Sequence, residues 1–135
     1  LQTATFDRVY TGGHVAVWVA DMNAYYGEAL RILRPGGRFV VNEYHPVRRM
    51  WLDAEGPTPK HSYFSRGPHV YRSEEGLPTY EYHWTVVDHI QAVINAGGRL
   101  LEVRETQEST EEEFWQNCDL EPWPATLLIA AEKPA

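Results

Sequence analysis

The stretch that decides the fold is Leu33–Val40, which reads LRPGGRFV. Proline followed by two glycines cannot continue a helix, so a helix that arrives from the N-terminal side has to end here. The apolar residues that come next form a short continuous run, as in a strand that is covered on both faces. The stretch therefore predicts a helix end followed directly by a buried strand over Arg38–Tyr44.

A helix is predicted on the N-terminal side of this stretch. Asp21 is a natural N-cap, and Arg31 and Arg34 fall in the last turn, where a positive charge stabilises the negative end of a helix. The apolar residues between them recur at helical spacing and predict one buried face. These residues are Met22, Tyr25, Tyr26, Ala29, Leu30 and Leu33.

A strand is predicted before this helix, over Phe6–Tyr10, and it runs into a tight turn at Thr11-Gly12-Gly13. Strand, helix and strand in this order imply a parallel crossover. The predicted fold class is therefore α/β.

The rest of the chain begins with residues 45–83, which are rich in proline and aromatic side chains and lack a sustained period. This pattern predicts a long insertion or lid.

Thr85 then caps a second predicted helix, with Asp88 at the capping-box position. Its apolar stripe is Val86, Val87, Ile90, Val93 and Ile94. Strands are predicted at Arg99–Glu105 and Ala125–Ala131, and the acidic stretch Glu108–Glu113 between them is predicted to be a solvated turn or short helix.

Length and composition limit the function classes. The 135 residues are the size of one domain, so we expect residues 1–135 to form a single unit. Lys and Arg number 12 against 19 Asp and Glu, and the net charge of -7 disfavours binding to nucleic acid or anionic membranes. No apolar run is long enough to cross a bilayer and no secretory signal is seen, so a cytoplasmic location is expected. The single cysteine, Cys118, excludes an internal disulfide.

Taken in order, several pieces resemble the second half of class I S-adenosylmethionine-dependent methyltransferases. Phe6–Tyr10, the Leu33–Val40 run and Tyr44-His45-Pro46 follow one another as in that family, where a leucine-rich helix ends at Pro-Gly-Gly and leads into the fifth strand. The helix that opens at His83-Trp84-Thr85 and closes at Ala96-Gly97-Gly98-Arg99, with the strands after it, looks like the C-terminal hairpin of the family.

The resemblance covers about residues 6–134 apart from the insertion, and it implies a Rossmann-like sheet of seven strands in the order 3-2-1-4-5-7-6. This chain would supply the fourth to seventh strands, the last one antiparallel, with an inserted lid at about 45–83. The implied cofactor is S-adenosyl-L-methionine and the implied reaction is methyl transfer to a small molecule.

Two features of cofactor sites in such sheets are not found in the sequence. These are the glycine turn after the first strand and the acidic residue after the second. We therefore expect a truncated or proteolysed piece of a longer methyltransferase domain, with a native short protein as the alternative. The piece alone is expected to bind the cofactor weakly or not at all. Its first strand would be an exposed sheet edge, which predicts a homodimer or strand-swapped assembly through Phe6–Tyr10.

The resemblance also implies site residues. In the family, the backbone at the end of the fourth strand and the loop after it flank the methionine end of the cofactor. The matching candidates are Tyr10, Thr11, Gly12, Gly13, Val17 and Trp18. His14 and His45 follow strand ends, where ligands bind in open α/β sheets, and a neutral histidine can act as a general base. They are the candidate catalytic residues, although many methyltransferases need no base.

The candidate substrate-binding residues are the aromatic residues Tyr44, Tyr82 and Trp84. Aromatic side chains of the insertion could roof a pocket for a small planar or cationic substrate, and the alternative is a local cluster that only anchors the insertion. No metal site is predicted, because the spacing of the remaining histidines matches no compact ligand motif. Those histidines are His61, His69, His83 and His89.

Two other functions are compatible with the sequence. The first is a non-catalytic methyltransferase-like half domain that acts as a binding or scaffold module. The second is half of a nucleotide-binding dehydrogenase, which fits the alternation of strands and helices but not the Pro-Gly-Gly entry into a strand followed by a terminal hairpin.

Overall fold

The computed structural model describes residues 1–108 and 120–135, and its centre is a four-stranded sheet. In chain order the elements are β1 (Phe6–Gly12), a first 3-10 helix (Ala16–Trp18), α1 (Met22–Ile32), β2 (Leu33–Tyr44), a second 3-10 helix (Pro46–Trp51), β3 (His69–Arg72), β4 (Pro78–Glu81), α2 (Val86–Asn95), β5 (Arg99–Thr106) and β6 (Thr126–Glu132). Cys118 and most of the acidic stretch Glu108–Glu113 lie outside the described residues.

The main sheet has the strand order β1-β2-β6-β5. Strands β1 and β2 are parallel, which confirms the predicted crossover, and β6 is antiparallel to both of its neighbours. Helices α1 and α2 pack together on one face of this sheet. The shared core contains Tyr26 and Leu30 from α1, Val93 from α2, Phe39 from β2 and Ile129 from β6. The molecule is therefore a mixed α/β fold with a partly parallel sheet.

Helix α1 ends at Ile32, two residues earlier than expected. The predicted start of the next strand at Arg38 is wrong, because β2 begins at Leu33 and contains the Pro-Gly-Gly stretch. Gly36 has a φ of 77°, and its N–H donates to the carbonyl of Lys133 at 2.8 Å. The Lys133 ammonium donates to the Leu33 carbonyl at 2.8 Å and to the Arg31 carbonyl at 3.2 Å. Lys133 therefore stabilises the helix C-terminus, while Arg34 pairs with Asp7 at 3.0 Å.

The turn after β1 begins two residues later than predicted. Thr11 and Gly12 still belong to the strand, and the chain reverses at Gly13 and His14, whose φ angles are 73° and 78°. A left-handed conformation is unusual for histidine, so the His14 backbone is held by the contacts around it.

The predicted apolar stripe of α2 is wrong at two positions, since Val87 and Ile94 are 67% and 51% exposed. The buried face is centred on His89 instead, whose Nδ1 is hydrogen-bonded to the Tyr26 hydroxyl at 2.7 Å. This hydrogen bond allows a polar ring to be buried in the core. Burial lowers the pKa of His89 to about 4, so the ring is neutral at physiological pH. Thr85 and Asp88 form the predicted capping box.

The insertion, residues 45–83, has more regular structure than the sequence indicated. It contains the second 3-10 helix and the antiparallel hairpin of β3 and β4. Trp51 and Leu120 form a second small hydrophobic cluster, separate from the main core. The Trp51 and Trp123 rings lie 5.4 Å apart. Because apolar side chains of the insertion pack on the C-terminal segment, the insertion is anchored to the body of the molecule.

Candidate functional site

A small cavity of about 20 Å³ lies beyond the carboxyl ends of the parallel strands β1 and β2, under the insertion. Ligands of open α/β sheets bind at this edge, and the volume is enough for about one water molecule. The polar side chains that line it include His14, Glu43, Tyr44, Arg49, Tyr82, His83 and His89.

Glu43 lies near the end of β2 and is 5% exposed. Its Oε1 accepts the backbone N–H groups of Val15 and Ala16, each at 3.1 Å. Burial raises the pKa of Glu43, while the two N–H donors and the charge of Arg49 oppose that rise. The carboxylate thus fixes the loop that follows β1 against the end of β2.

Arg49 reaches the same place from the second 3-10 helix, and only 10% of its side chain is exposed. Its Nη2 donates to Nδ1 of His14 at 3.0 Å and also contacts Nε2 of that ring. Its Nη1 lies 3.7 Å from Oε2 of Glu81. Burial lowers the pKa of Arg49, and the carboxylates of Glu81 and Glu43 oppose this. A buried cation therefore joins the insertion to the loop after β1.

His14, a candidate catalytic residue, lines the cavity, and its ring centroid lies 4.1 Å from that of Tyr44. Burial and, after it, the charge of Arg49 lower the pKa of His14 to about 3. The ring is neutral at pH 7, but a conjugate acid this strong makes it a weak proton acceptor. A catalytic role for His14 remains a prediction.

His45, the other candidate catalytic residue, has both ring nitrogens engaged. Its Nδ1 accepts the backbone N–H of Val47 at 3.1 Å and so caps the second 3-10 helix. Its Nε2 lies 2.7 Å from Oε1 of Glu105 on β5, which assigns the proton to Nε2. Burial lowers the pKa of His45, against the effect of Glu105. This geometry supports a positioning role; catalysis by His45 remains a prediction.

The six predicted cofactor-binding residues are split between two environments. Tyr10 and Trp18 are 68% and 57% exposed. Val17, in the first 3-10 helix, is buried. The Thr11 hydroxyl accepts the Tyr25 hydroxyl at 2.7 Å. Among residues 1–108 and 120–135, and apart from Gly13 and its neighbours in the chain, no heavy atom lies within 4 Å of the place where a side chain at Gly13 would begin. Gly12 has no such space, because the Tyr10 ring lies across it.

The predicted substrate-binding pair Tyr82 and Trp84 lies where the insertion returns to the body. The backbone N–H of Tyr82 donates to the Val17 carbonyl at 2.8 Å, and the Trp84 indole N–H donates to the Val19 carbonyl at 2.8 Å. The Tyr82 and Trp84 rings are nearly parallel, with centroids 6.0 Å apart. They form one aromatic wall beside the cavity, and Tyr44 lies against His14 on another side.

Comparison with solved structures identifies the architecture. An S-adenosylmethionine-dependent methyltransferase of Mesorhizobium loti matches with 21% identity and a TM-score of 0.62, over 98% of this chain and 64% of its own. A Listeria monocytogenes protein assigned to the same enzyme class matches with 20% identity and a TM-score of 0.76, over 99% of this chain and 64% of its own. The chain has the fold of part of a class I S-adenosylmethionine-dependent methyltransferase domain.

A third structure with this methyltransferase fold is a geranyl diphosphate methyltransferase in complex with geranyl diphosphate and sinefungin. It is 15% identical, and the match has a TM-score of 0.61 and covers 98% of this chain and 48% of that one. The chain thus spans less than two thirds of the length of these three methyltransferase structures. No family model matches the sequence, and no curated protein matches it either.

Three residues of the site in this methyltransferase fold were missed by sequence reasoning, namely Glu43, Arg49 and Glu81. For Glu43 a signal was present, because an acidic residue in a strand predicted to be covered on both faces needs a partner. Arg49 and Glu81 lie 32 residues apart in the irregular insertion, and no local pattern relates them.

The histidines of the insertion are closer together than their spacing suggested, since His61, His69 and His83 have ring contacts with one another. Even so, across residues 1–108 and 120–135 no group of three or more His, Cys, Asp or Glu side chains has a geometry that could hold a metal ion. A search for helices long and apolar enough to span a membrane, made on the same residues, found none.

Proposed function

We propose that this chain takes part in S-adenosylmethionine-dependent methyl transfer to a small-molecule acceptor. The observation that carries the proposal is the position of the cavity, which lies at the carboxyl ends of β1 and β2 in a sheet of methyltransferase fold. Buried polar groups and an aromatic wall converge there. The enclosed volume admits about one water molecule, so an acceptor would bind at the mouth of the cavity, against the aromatic wall. The complex of geranyl diphosphate methyltransferase with geranyl diphosphate and sinefungin supports the choice of reaction class.

The strand order supports a more detailed assignment. In the predicted family order 3-2-1-4-5-7-6, the last four strands are neighbours in the sequence 4-5-7-6. The observed order β1-β2-β6-β5, with β6 antiparallel, has the same form. We therefore assign β1, β2, β5 and β6 to the fourth, fifth, sixth and seventh strands of the family sheet.

Residues at the end of β1 fit one wall of a cofactor site. Tyr10 and Trp18 offer exposed aromatic surface, and the open space at Gly13 leaves the backbone accessible to a ligand. S-adenosylmethionine supplies an electrophilic methyl group on a positively charged sulfur when it is bound. Aromatic faces and the backbone at the end of β1 suit such a cation. Val17 is buried, so it would hold these residues in place and would not contact the cofactor.

The acceptor would lie against the wall formed by Tyr82 and Trp84, which suits a planar or cationic molecule. His14 is neutral, but its one lone pair is already engaged by Arg49, so the ring would accept a proton only if that contact broke and the acceptor had become strongly acidic. The chain's main contribution is then to orient the acceptor and exclude water rather than to remove a proton.

A second function, a methyltransferase-like binding or scaffold module, is favoured by one specific observation. Within the described parts of the chain, β1 is paired on one side only, by β2. A free edge can pair with another polypeptide without any catalytic role.

Calorimetric titration with S-adenosylhomocysteine tests the choice between these functions. We expect weak or absent binding by residues 1–135 and binding by a version extended by any residues that the gene encodes upstream of Leu1. The reason is that residues of one wall alone cannot enclose the ligand. Binding by residues 1–135 would instead indicate that an assembly completes the site, and absence of binding by both proteins would support the scaffold function.

The free edge of β1 also leads us to propose a homodimer or a strand-swapped assembly through Phe6–Tyr10. Phe6 and Tyr10 are 38% and 68% exposed, so pairing would cover apolar surface as well as backbone groups. Multi-angle light scattering of residues 1–135 should give about twice the 15.5 kDa mass of the chain. A monomer at concentrations of about 100 μM would rule this interface out.

A further inference from the structure

Three histidines of the insertion form one cluster. His69 and His83 are stacked, with ring centroids 4.0 Å apart and planes at 22°. His61 meets both rings edge-on, at 5.2 Å from His69 and 5.5 Å from His83. The three residues come from the segment before β3, from the start of β3 and from the segment after β4. The cluster therefore connects separate parts of the insertion.

The cluster is unusual because several of its polar atoms have no hydrogen-bond partner among the described residues. His83 is 4% exposed, and both of its ring nitrogens are in this state, as are Nε2 of His61 and Oε2 of Glu81. The nearest pair is Nε2 of His83 and Oε2 of Glu81, which at 3.6 Å are too far apart for a hydrogen bond. Such an arrangement accommodates neutral imidazoles, but an imidazolium there would be poorly solvated.

The charges around His83 also disfavour its protonation. The titratable groups around it, from every element packed against it, are His14, Glu43, Tyr44, Arg49, His61, His69, Glu81, Tyr82 and His89. Arg49 is permanently charged, and each additional proton on the cluster would add a second positive charge beside it. The groups that face His61 are Asp53, Lys60, His69 and His83. The carboxylate of Glu81 would partly stabilise a positive charge on His83, but the effect is limited because the two groups are 3.6 Å apart.

We propose that the cluster of His61, His69 and His83 is an acid-sensitive latch, which holds the insertion over the carboxyl ends of β1 and β2 while the rings of His61 and His83 are neutral and releases it when those two rings are protonated. Release would break the contact of Arg49 with His14 and the hydrogen bond from Tyr82 to Val17. The cavity would then open to solvent. The latch is a property of the insertion and does not depend on methyl transfer.

The direction and size of the effect follow from proton linkage. Burial, followed by the nearby His69, Arg49, His61 and His14, lowers the pKa of His83 from 6.5 to about 3, and burial also lowers the pKa of His61. An opened insertion would return these rings toward 6.5 and would bind more protons than the closed one. The closed state is therefore favoured above about pH 6.5 and loses stability as the pH falls toward 3. For His83 alone, the opening constant should rise about 30-fold between pH 7.5 and pH 5.

Hydrogen exchange measured by mass spectrometry on residues 1–135 tests the latch without any cofactor. After correction for the pH dependence of intrinsic exchange, protection of peptides within residues 61–84 should fall about 30-fold from pH 7.5 to pH 5. Protection of α1, Met22–Ile32, should change much less over the same range. An equal loss of protection in α1, or no loss of protection in residues 61–84, would overturn the proposal.

Variants assign the effect to the cluster. His83→Gln removes the titrating ring and should reduce the pH-dependent change to less than about 5-fold, and His61→Gln should reduce it by a smaller factor. Glu74→Gln is the control, because it changes an exposed charged side chain of the insertion that lies outside the cluster. The control should retain the wild-type change. If His83→Gln does not fold, His83→Phe keeps a ring of similar shape without a titrating nitrogen, and a full 30-fold change in that variant would count against the latch.

Discussion

Replacing Glu43 with alanine is expected to lower the free energy of unfolding by roughly 2–4 kcal/mol. The N–H groups of Val15 and Ala16 both donate to Oε1 of Glu43, and a buried donor left without an acceptor costs about 1–3 kcal/mol. Urea unfolding followed by circular dichroism at pH 7 measures this change. The loop after β1 would also lose its fixed position, so any affinity for S-adenosylhomocysteine should decrease in the same variant.

Glu43→Gln separates the contribution of the two hydrogen bonds from that of the negative charge of this side chain. A glutamine amide oxygen can accept both N–H groups without the burial of a charge, so this variant should lie within about 1 kcal/mol of the wild type. Equal stability of the alanine and glutamine variants would show that the hydrogen bonds to Val15 and Ala16 do not hold the loop.

Arg49→Met is expected to cost about 3 kcal/mol at pH 7. The methionine keeps much of the apolar stem but leaves Glu43 and Glu81, both largely buried, without their nearby cation. Removing the arginine also takes away a charge that lowers the pKa of Glu43, so that pKa should rise further. A carboxyl group with a raised pKa stabilises the fold most at low pH, and this contribution is lost as the pH rises through the raised pKa. The stability difference from wild type should therefore grow with pH above about 4.5.

Arg38→Met is the matched control for that measurement. Arg38 lies on the same strand as Glu43 but is exposed, and surface substitutions usually change stability by less than about 0.5 kcal/mol. Urea midpoints of both variants between pH 4 and pH 8 give the comparison. A pH-independent loss in Arg49→Met would indicate a packing defect and not the loss of a buried charge partner.

Most of the fold could be predicted from local patterns. Asp21, the apolar positions of α1 and the Pro-Gly-Gly stretch act through the backbone of their own neighbourhood, so their consequences are visible in the sequence. The errors at helix and strand ends have a tertiary cause. Lys133, about 100 residues away, binds the last carbonyls of α1, a task the sequence had assigned to Arg34.

The buried face of α2 shows a second limit of sequence patterns. Apolarity alone placed Val87 and Ile94 inside, but the sheet covers the side of the helix that carries His89. A histidine becomes a core residue only because the Tyr26 hydroxyl, 63 positions away, satisfies its Nδ1. Burial of a polar side chain depends on a partner that no local pattern reveals.

The sequence by itself determined the α/β class, the parallel pairing of β1 and β2 and the edge of the sheet at which a site would lie. The reason is that hydrophobic periodicity and turn chemistry are local, and the crossover rule applies to the elements that they predict. Only the tertiary structure decided which side chains meet there. His45 became a cap, and Glu43, Arg49 and Glu81 became the charged centre of the site. The physical reason is that charges and hydrogen bonds act over a few ångströms of space, while the residues that supply them are tens of positions apart along the chain.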